Sequence, residues 1–190
     1  LNDKKLPFMI GGEHLVSYPV VKALYETYPN LHIIHLDAHT DLRDEFLGRK
    51  LSHATVMRRI HDILGNGRIF QFGIRSGSKE EFMWAKDNHT HLQPFNLDGL
   101  EKIISSISDK PVYITIDLDV LDPSIFPGTG TPEAGGITFK ELQQAIASFR
   151  KLPHIVGADV VELSPMLDSS GASTAVACKV VRELLCVLTP

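Results

Sequence analysis

Asp37-Ala38-His39-Thr40-Asp41 sets three oxygen and nitrogen donors at alternate positions directly after the apolar stretch 31–36. That stretch reads as a buried strand whose carboxyl end opens into the donors. A second apolar stretch, 112–116, ends the same way in Asp117-Leu118-Asp119. Residues two apart on an extended segment share a face, so each strand end aims its acids together. In an open parallel α/β sheet, the crevice beyond the strand carboxyl ends is where ligands bind. Four aspartates meeting there would repel one another unless cations stood between them. Carboxylates with an occasional imidazole suit Mg²⁺, Mn²⁺ or Zn²⁺, and the lack of Cys in the cluster argues against a structural zinc site.

Taken alone, an Asp-x-His-x-Asp run is as readily a solvated turn. Its neighbours change the balance. Gly11-Gly12-Glu13-His14 follows another apolar stretch, 6–10, with a further imidazole; Ser52-His53 lies downstream; Asp159-Val160-Val161-Glu162 closes the last strand with one more acid. Four of six expected strands thus end in side chains suited to metal binding or proton transfer.

These residues need elements to hold them. Strands are expected near 6–10, 31–36, 68–73, 91–94, 112–116 and 155–161, and helices near 16–28, 53–64, 79–88, 97–107, 139–149 and 173–188. Thr138 with Glu141 three residues on is a capping-box start for the fifth helix. Such alternation gives a mostly parallel sheet covered on both faces, a three-layer α/β/α architecture. With 190 residues, 43% of them apolar and 22% charged, the chain can bury a real core as one domain. A formal charge of −4 gives no reason to expect nucleic acid or an anionic membrane as partner. No apolar run approaches the length of a membrane helix.

The ordered set Gly-Gly-Glu-His, Asp-Ala-His-Thr-Asp, Ser-His-Ala-Thr, Asp-Leu-Asp-Val-Leu-Asp-Pro, Pro-Gly-Thr-Gly-Thr-Pro-Glu-Ala-Gly-Gly and Asp-Val-Val-Glu-Leu-Ser-Pro resembles that of the ureohydrolases. These are the binuclear manganese enzymes that include arginase and agmatinase, and the likeness is greatest to bacterial agmatinases. It implies an arginase-like fold holding two Mn²⁺ ions per subunit. His14 and Asp41 would hold one ion, His39 and Asp119 the other, and Asp37 and Asp117 would bridge both. His53 matches a proton-shuttling histidine and Glu162 the acid that receives the guanidinium; Asp41 is a candidate proton acceptor. The chemistry agrees, because two metals can lower the pKa of a shared water, a carboxylate pairs bidentately with a planar cation, and His exchanges protons near neutrality. The resemblance further implies a cytoplasmic homo-oligomer, trimer or hexamer, in putrescine biosynthesis. The family carries a segment ahead of this point, whereas the sequence starts at Leu1. Residues 1–190 are therefore expected to be one catalytic domain lacking its amino-terminal segment.

Substrate choice turns on Arg43. Arginases place polar side chains after the Asp-Ala-His-Thr-Asp run, beginning with Asn two residues on, to grip the α-carboxylate of arginine. Here Leu42 and Arg43 follow. Agmatine fits better, with a guanidino acid such as 4-guanidinobutanoate as the alternative. A two-metal phosphoesterase would want Gly-Asn-His-Asp or Gly-His-x-His, and neither occurs. A non-catalytic ureohydrolase-like subunit would be marked by lost ligands; all six are present, so that alternative rests on the amino-terminal truncation alone.

The remaining candidates carry plainer expectations. His32, His61, His89, His91 and His154 read as structural or surface residues; His35, on the strand face of Asp37, is the one suited to orienting a ligand carboxylate. Glu13 is either a metal neighbour or an acceptor for backbone amides. Pro127-Gly128-Thr129-Gly130-Thr131-Pro132 lacks the Lys of a phosphate loop and reads as a rigid loop beside Asp117 and Asp119. Arg75 is expected to pair with an acid, and Cys178 and Cys186 to be buried thiols.

Overall fold

The computed structural model describes residues 5–189. Six parallel strands, β1 (Phe8–Ile10), β2 (His32–Leu36), β3 (Ile69–Ile74), β4 (His91–Pro94), β5 (Val112–Asp117) and β6 (Ile155–Val161), form one sheet in the order β1-β6-β5-β2-β3-β4. The helices are α1 (Ser17–Thr27), α2 (Val56–Leu64), α3 (Lys79–Trp84), α4 (Leu100–Ser106), α5 (Phe139–Ser148) and α6 (Ala172–Leu188). All six expected strands form, each within about two residues of its expected ends.

The central strands are apolar on both faces because both are covered. Ile34, Leu36, Ile114, Ile116 and Val160 pack with α4, α5 and α6, whereas Ile33, Ile69 and Tyr113 pack with α1 and α2. Alternate residues of one strand thus serve two cores, as the period of two requires. From β2 the chain crosses through α2 to β3 on one side, and from β5 through α5 to β6 on the other. Right-handed crossovers running in opposite directions put α2 and α5 on opposite faces and open a crevice between the ends of β2 and β5.

The helices depart from expectation at their ends, for local reasons. The segment expected at 53–64 opens as a 3₁₀ turn, His53–Thr55, capped by Ser52. The expected 79–88 helix gives way after Trp84 to a π turn, Ala85–His89. The fourth helix begins only at Leu100, because Gly99 takes a left-handed conformation (φ 85°) that ends the approach of the preceding loop. The Thr138–Glu141 capping box forms as expected. Among the described residues no helix is long and apolar enough to cross a membrane. Cys178 and Cys186 are free and exposed on α6, contrary to expectation, since their positions fall on its outer stripe.

Candidate metal centre and pocket

The strand ends converge, but by turns more than by strand alternation. β2 stops at Leu36, and Asp37 folds back so that its Oδ1 accepts the backbone N–H of His39 at 2.5 Å. Asp41 reaches the cluster only because its backbone takes φ +53°, a region that non-glycine residues rarely occupy. Asp117 ends β5 and caps a 3₁₀ turn, Leu118–Val120, by accepting the N–H of Asp119 at 2.9 Å. Glu162, just past β6, also has positive φ (65°). Two candidate site residues therefore sit on strained backbone, as is common where the surroundings over-determine a functional geometry.

His14 stands on the 3₁₀ turn His14–Val16 after β1. Its Nδ1 lies 3.1 Å from Asp117 Oδ2, 3.2 Å from Asp37 Oδ2 and 3.3 Å from Asp41 Oδ2. Among the described residues that buried nitrogen has no hydrogen-bond partner, while Nε2 pairs with Thr115 Oγ1 at 2.9 Å. Beside it, His39 Nδ1 lies 3.0 Å from Asp119 Oδ2 and 3.5 Å from Asp37 Oδ1. Two groups of donors, each gathered within 4.8 Å, result: His14, His35, Asp37 and Asp41, and Asp37, His39 and Asp119. Asp37 belongs to both, with one oxygen turned to each. A buried, unpartnered imidazole nitrogen ringed by three carboxylates fits a divalent cation of the Mn²⁺, Mg²⁺ or Zn²⁺ type.

The electrostatics describe a cluster in need of positive charge. Burial, then the charges of Asp119 and Asp37, push Asp117 well above the usual carboxylate range. Burial and Asp37 raise Asp119 and Asp41 likewise. Burial opposes a charge on His39, but hydrogen bonds to Asp119 and Asp37 lift it to about 11. His14 is raised for the same reason, by Asp117, Asp37 and Asp41 against burial.

A cleft of about 270 Å³ rises from this floor, lined also by Arg43, Phe46, His53, Ser78, Glu81 and Glu162. Glu162 Oε1 accepts the backbone N–H of His14 at 2.7 Å, and burial raises its carboxyl above the ordinary value. Among the described residues nothing hydrogen-bonds Oε2 of this cleft-lining carboxyl. All eight residues singled out from the sequence for metal binding, proton transfer or substrate contact, namely His14, Asp37, His39, Asp41, His53, Asp117, Asp119 and Glu162, meet at this cleft or directly beneath it.

Among the neighbours, Glu13 meets one of its two expectations, as an acceptor for a backbone amide, whereas Arg75 departs from its own. Glu13 holds His53, accepting its backbone N–H at 2.7 Å and lying 3.0 Å from its Nδ1. Arg75 pairs with carbonyl oxygens instead of an acid, donating to Asp119 at 2.7 Å and Glu133 at 2.8 Å, and so stitches two loops together. Asp159 is spent on the hydroxyls of Ser17 and Tyr113, not on the cleft. The Pro127–Pro132 loop does reach the acids, through Thr131 Oγ1 at 3.5 Å from Asp119. Gly73 (φ 85°) lets β3 approach Asp37 and Val120 closely, since a Cβ there would stand 2.6 Å from Val120 Cγ2 and 3.0 Å from the Asp37 carbonyl.

Sequence reasoning missed Glu81, Gln71 and Thr115. Buried Glu81 accepts from Thr40 Oγ1 (2.6 Å), Leu42 N (3.1 Å) and Ser78 N (2.7 Å), and lies 3.5 Å from Arg43 Nε. The Ser78-x-x-Glu81 capping pattern was its visible signal. For Gln71 and Thr115 the signal was a polar residue inside an otherwise apolar strand.

A sequence model of the arginase family matches residues 1–186. An agmatinase of Bacillus subtilis is 49% identical over 187 residues, 97% of this chain and 64% of that protein. The chain thus spans about 64% of the length of the curated relatives it matches. A solved chain from Clostridium difficile superposes with a TM-score of 0.97 at 52% identity, covering 99% of this chain and 69% of its own. The agmatine ureohydrolase of Thermoplasma volcanium gives a TM-score of 0.87 at 35% identity, covering 98% and 63%. The family match runs over nearly the whole sequence and coincides with the strand ends that gather the acids and imidazoles; the chain belongs to the arginase family.

Proposed function

We propose that this chain forms the catalytic unit of an agmatinase-type ureohydrolase, which cleaves the guanidino group of agmatine to putrescine and urea at a pair of Mn²⁺ ions. The observation that carries the reading is Asp37, one oxygen in each of two donor groups, beside the unpartnered Nδ1 of His14. His14 and Asp41 would hold one ion, His39 and Asp119 the other, with Asp37 and Asp117 shared. When bound, such a pair lowers the pKa of a shared water and so supplies a nucleophile at neutral pH.

The chain's own groups do the rest. Glu162 receives the guanidinium through charge-assisted hydrogen bonds, with Oε2 unengaged among the described residues and Oε1 anchored on the His14 N–H. Asp41, buried and raised by burial and by Asp37, takes the proton released as water is activated and returns it to the leaving amine. His53, at the open side of the cleft and held by Glu13, exchanges that proton with solvent. The agmatine reading also draws on Arg43. Its Nε lies 3.5 Å from Glu81 Oε2 and its guanidinium is stacked 5.1 Å from the Phe46 ring centroid, so it is less available to a substrate carboxylate than an unengaged cation would be. Cytoplasmic placement and homo-oligomeric assembly belong to the same proposal.

Urea release by the purified chain, loaded with Mn²⁺, tests the reading on agmatine, arginine and 4-guanidinobutanoate side by side. Agmatine is expected to lead arginine in kcat/KM by about a hundredfold, because an unmet buried carboxylate is costly. Chelation should abolish turnover, and added Mn²⁺ should restore it and raise the Tm. Equal or better turnover of arginine overturns the substrate assignment. A folded, active preparation free of divalent metal overturns the centre.

A further inference from the structure

Gln71 is a wholly buried amide within β3, between Phe70 and Phe72. Its orientation is dictated by its neighbours. Nε2 lies 2.7 Å from the carbonyl oxygen of Thr40, a group that only accepts, and Oε1 accepts the Thr90 hydroxyl at 3.0 Å. The second N–H of Nε2 meets His35 Nδ1 at 3.1 Å. An amide nitrogen has no lone pair to offer, so His35 Nδ1 must be the acceptor. The ring proton then sits on Nε2, which faces Asp37 Oδ2 at 2.7 Å.

We propose that Gln71 is a positioning residue that acts through His35, fixing its Nε2–H tautomer and so clamping the carboxylate shared by the two donor groups. The inference rests on reading Asp37 as a metal ligand. The opposite tautomer would turn a nitrogen lone pair against Asp37 Oδ2 and an N–H against the amide N–H of Gln71, two repulsive contacts in place of two hydrogen bonds. With both ring nitrogens engaged, His35 orients a ligand instead of being one. The clamp takes one lone pair of Oδ2, while Oδ1 is fixed separately by the His39 N–H. Asp37 is thereby held from both ends with its remaining lone pairs turned toward His14 and His39, the pre-arrangement that lets a surrounding shell raise metal affinity.

Histidine ¹⁵N spectra of the chain and Mn²⁺ titration calorimetry test this together. In the unsubstituted chain His35 is expected as the Nε2–H tautomer. Gln71→Met removes the donor, and Gln71→Glu supplies an acceptor that draws the proton to Nδ1. Both are expected to weaken Mn²⁺ binding by about 10- to 100-fold, Gln71→Glu the more, with the Nδ1–H form appearing in its spectrum. A purely structural role would lower the Tm of the metal-free variants and leave their Mn²⁺ affinity unchanged. That result, or an Nδ1–H tautomer in the unsubstituted chain, overturns the proposal; if neither variant folds, the spectrum of the unsubstituted chain decides it. Failure of the unsubstituted chain to bind Mn²⁺, by contrast, overturns the metal centre itself and this inference with it.

Discussion

At the floor of the cleft, Asp37, Asp117 and His14 are buried, and the chain nearby spends hydrogen bond after hydrogen bond on holding them. At the mouth, Arg43 is 44% exposed, Phe46 stacks on it, and the segment leading to His53 carries Leu47 and Leu51 largely in solvent. The contrast separates two tasks. A charge cluster that must bind cations needs each donor fixed by its neighbours, because an unclamped buried carboxylate would find another partner or a proton. A wall that selects the far end of a substrate needs only shape and a few polar groups, and solvent can satisfy what the substrate does not. On the proposed function, the floor would carry the reaction and the mouth the choice of substrate.

Substitutions at graded depth probe that division. Asp37→Ala is expected to have the largest effect, since it strips one ligand from each donor group. Metal analysis should find both ions lost and urea release down by at least about a thousandfold, the scale of several kcal/mol of metal activation. Retention of metal and rate would mean that Asp37 is not shared. Glu162→Gln, one step higher, should keep the metal content while kcat/KM on agmatine falls by roughly a hundredfold, as a charge-assisted pair becomes a neutral one. An unchanged rate would remove Glu162 from substrate binding.

Nearer solvent the effects should shrink. His53→Ala is expected to cost about tenfold in kcat, with recovery on adding imidazole, because a diffusing base can replace a proton shuttle. Loss without any rescue would make His53 part of the rigid floor. Arg43→Ala should change agmatine turnover least, within about fivefold, while weakening any residual turnover of 4-guanidinobutanoate. If that substitution instead collapses the agmatine rate, the boundary between floor and mouth has been drawn in the wrong place. The Arg43–Glu81 contact would then be the point to pursue.

Much of the floor was legible in the amino-acid order because acids and imidazoles recur directly after several apolar runs instead of one. The strands announced themselves by continuous apolar runs, and ligands of such sheets bind beyond their carboxyl ends. The reasoning from strand alternation was less sound. Asp41 and Asp119 enter through a left-handed residue and a 3₁₀ turn, conformations that no period of two describes. Glu13 was visible as a polar neighbour, but its pairing with His53, forty residues on, was not. Arg75 was read as half of an ion pair and serves instead to gather carbonyl oxygens from two loops, because its fork of N–H donors is aimed at backbone.

By itself, the sequence determined the order of strands and helices along the chain and the parallel sheet, since both follow from local apolar pattern, and it singled out the candidate donors through side-chain chemistry and the resemblance of their motifs. Tertiary structure alone decided which oxygen of Asp37 faces which donor group, that Gln71 reaches His35, and that Arg43 is engaged by Glu81. These depend on strand register and on turns that bring together residues tens of positions apart. Hydrogen bonds lose their strength over tenths of an ångström, a scale that residue order does not encode.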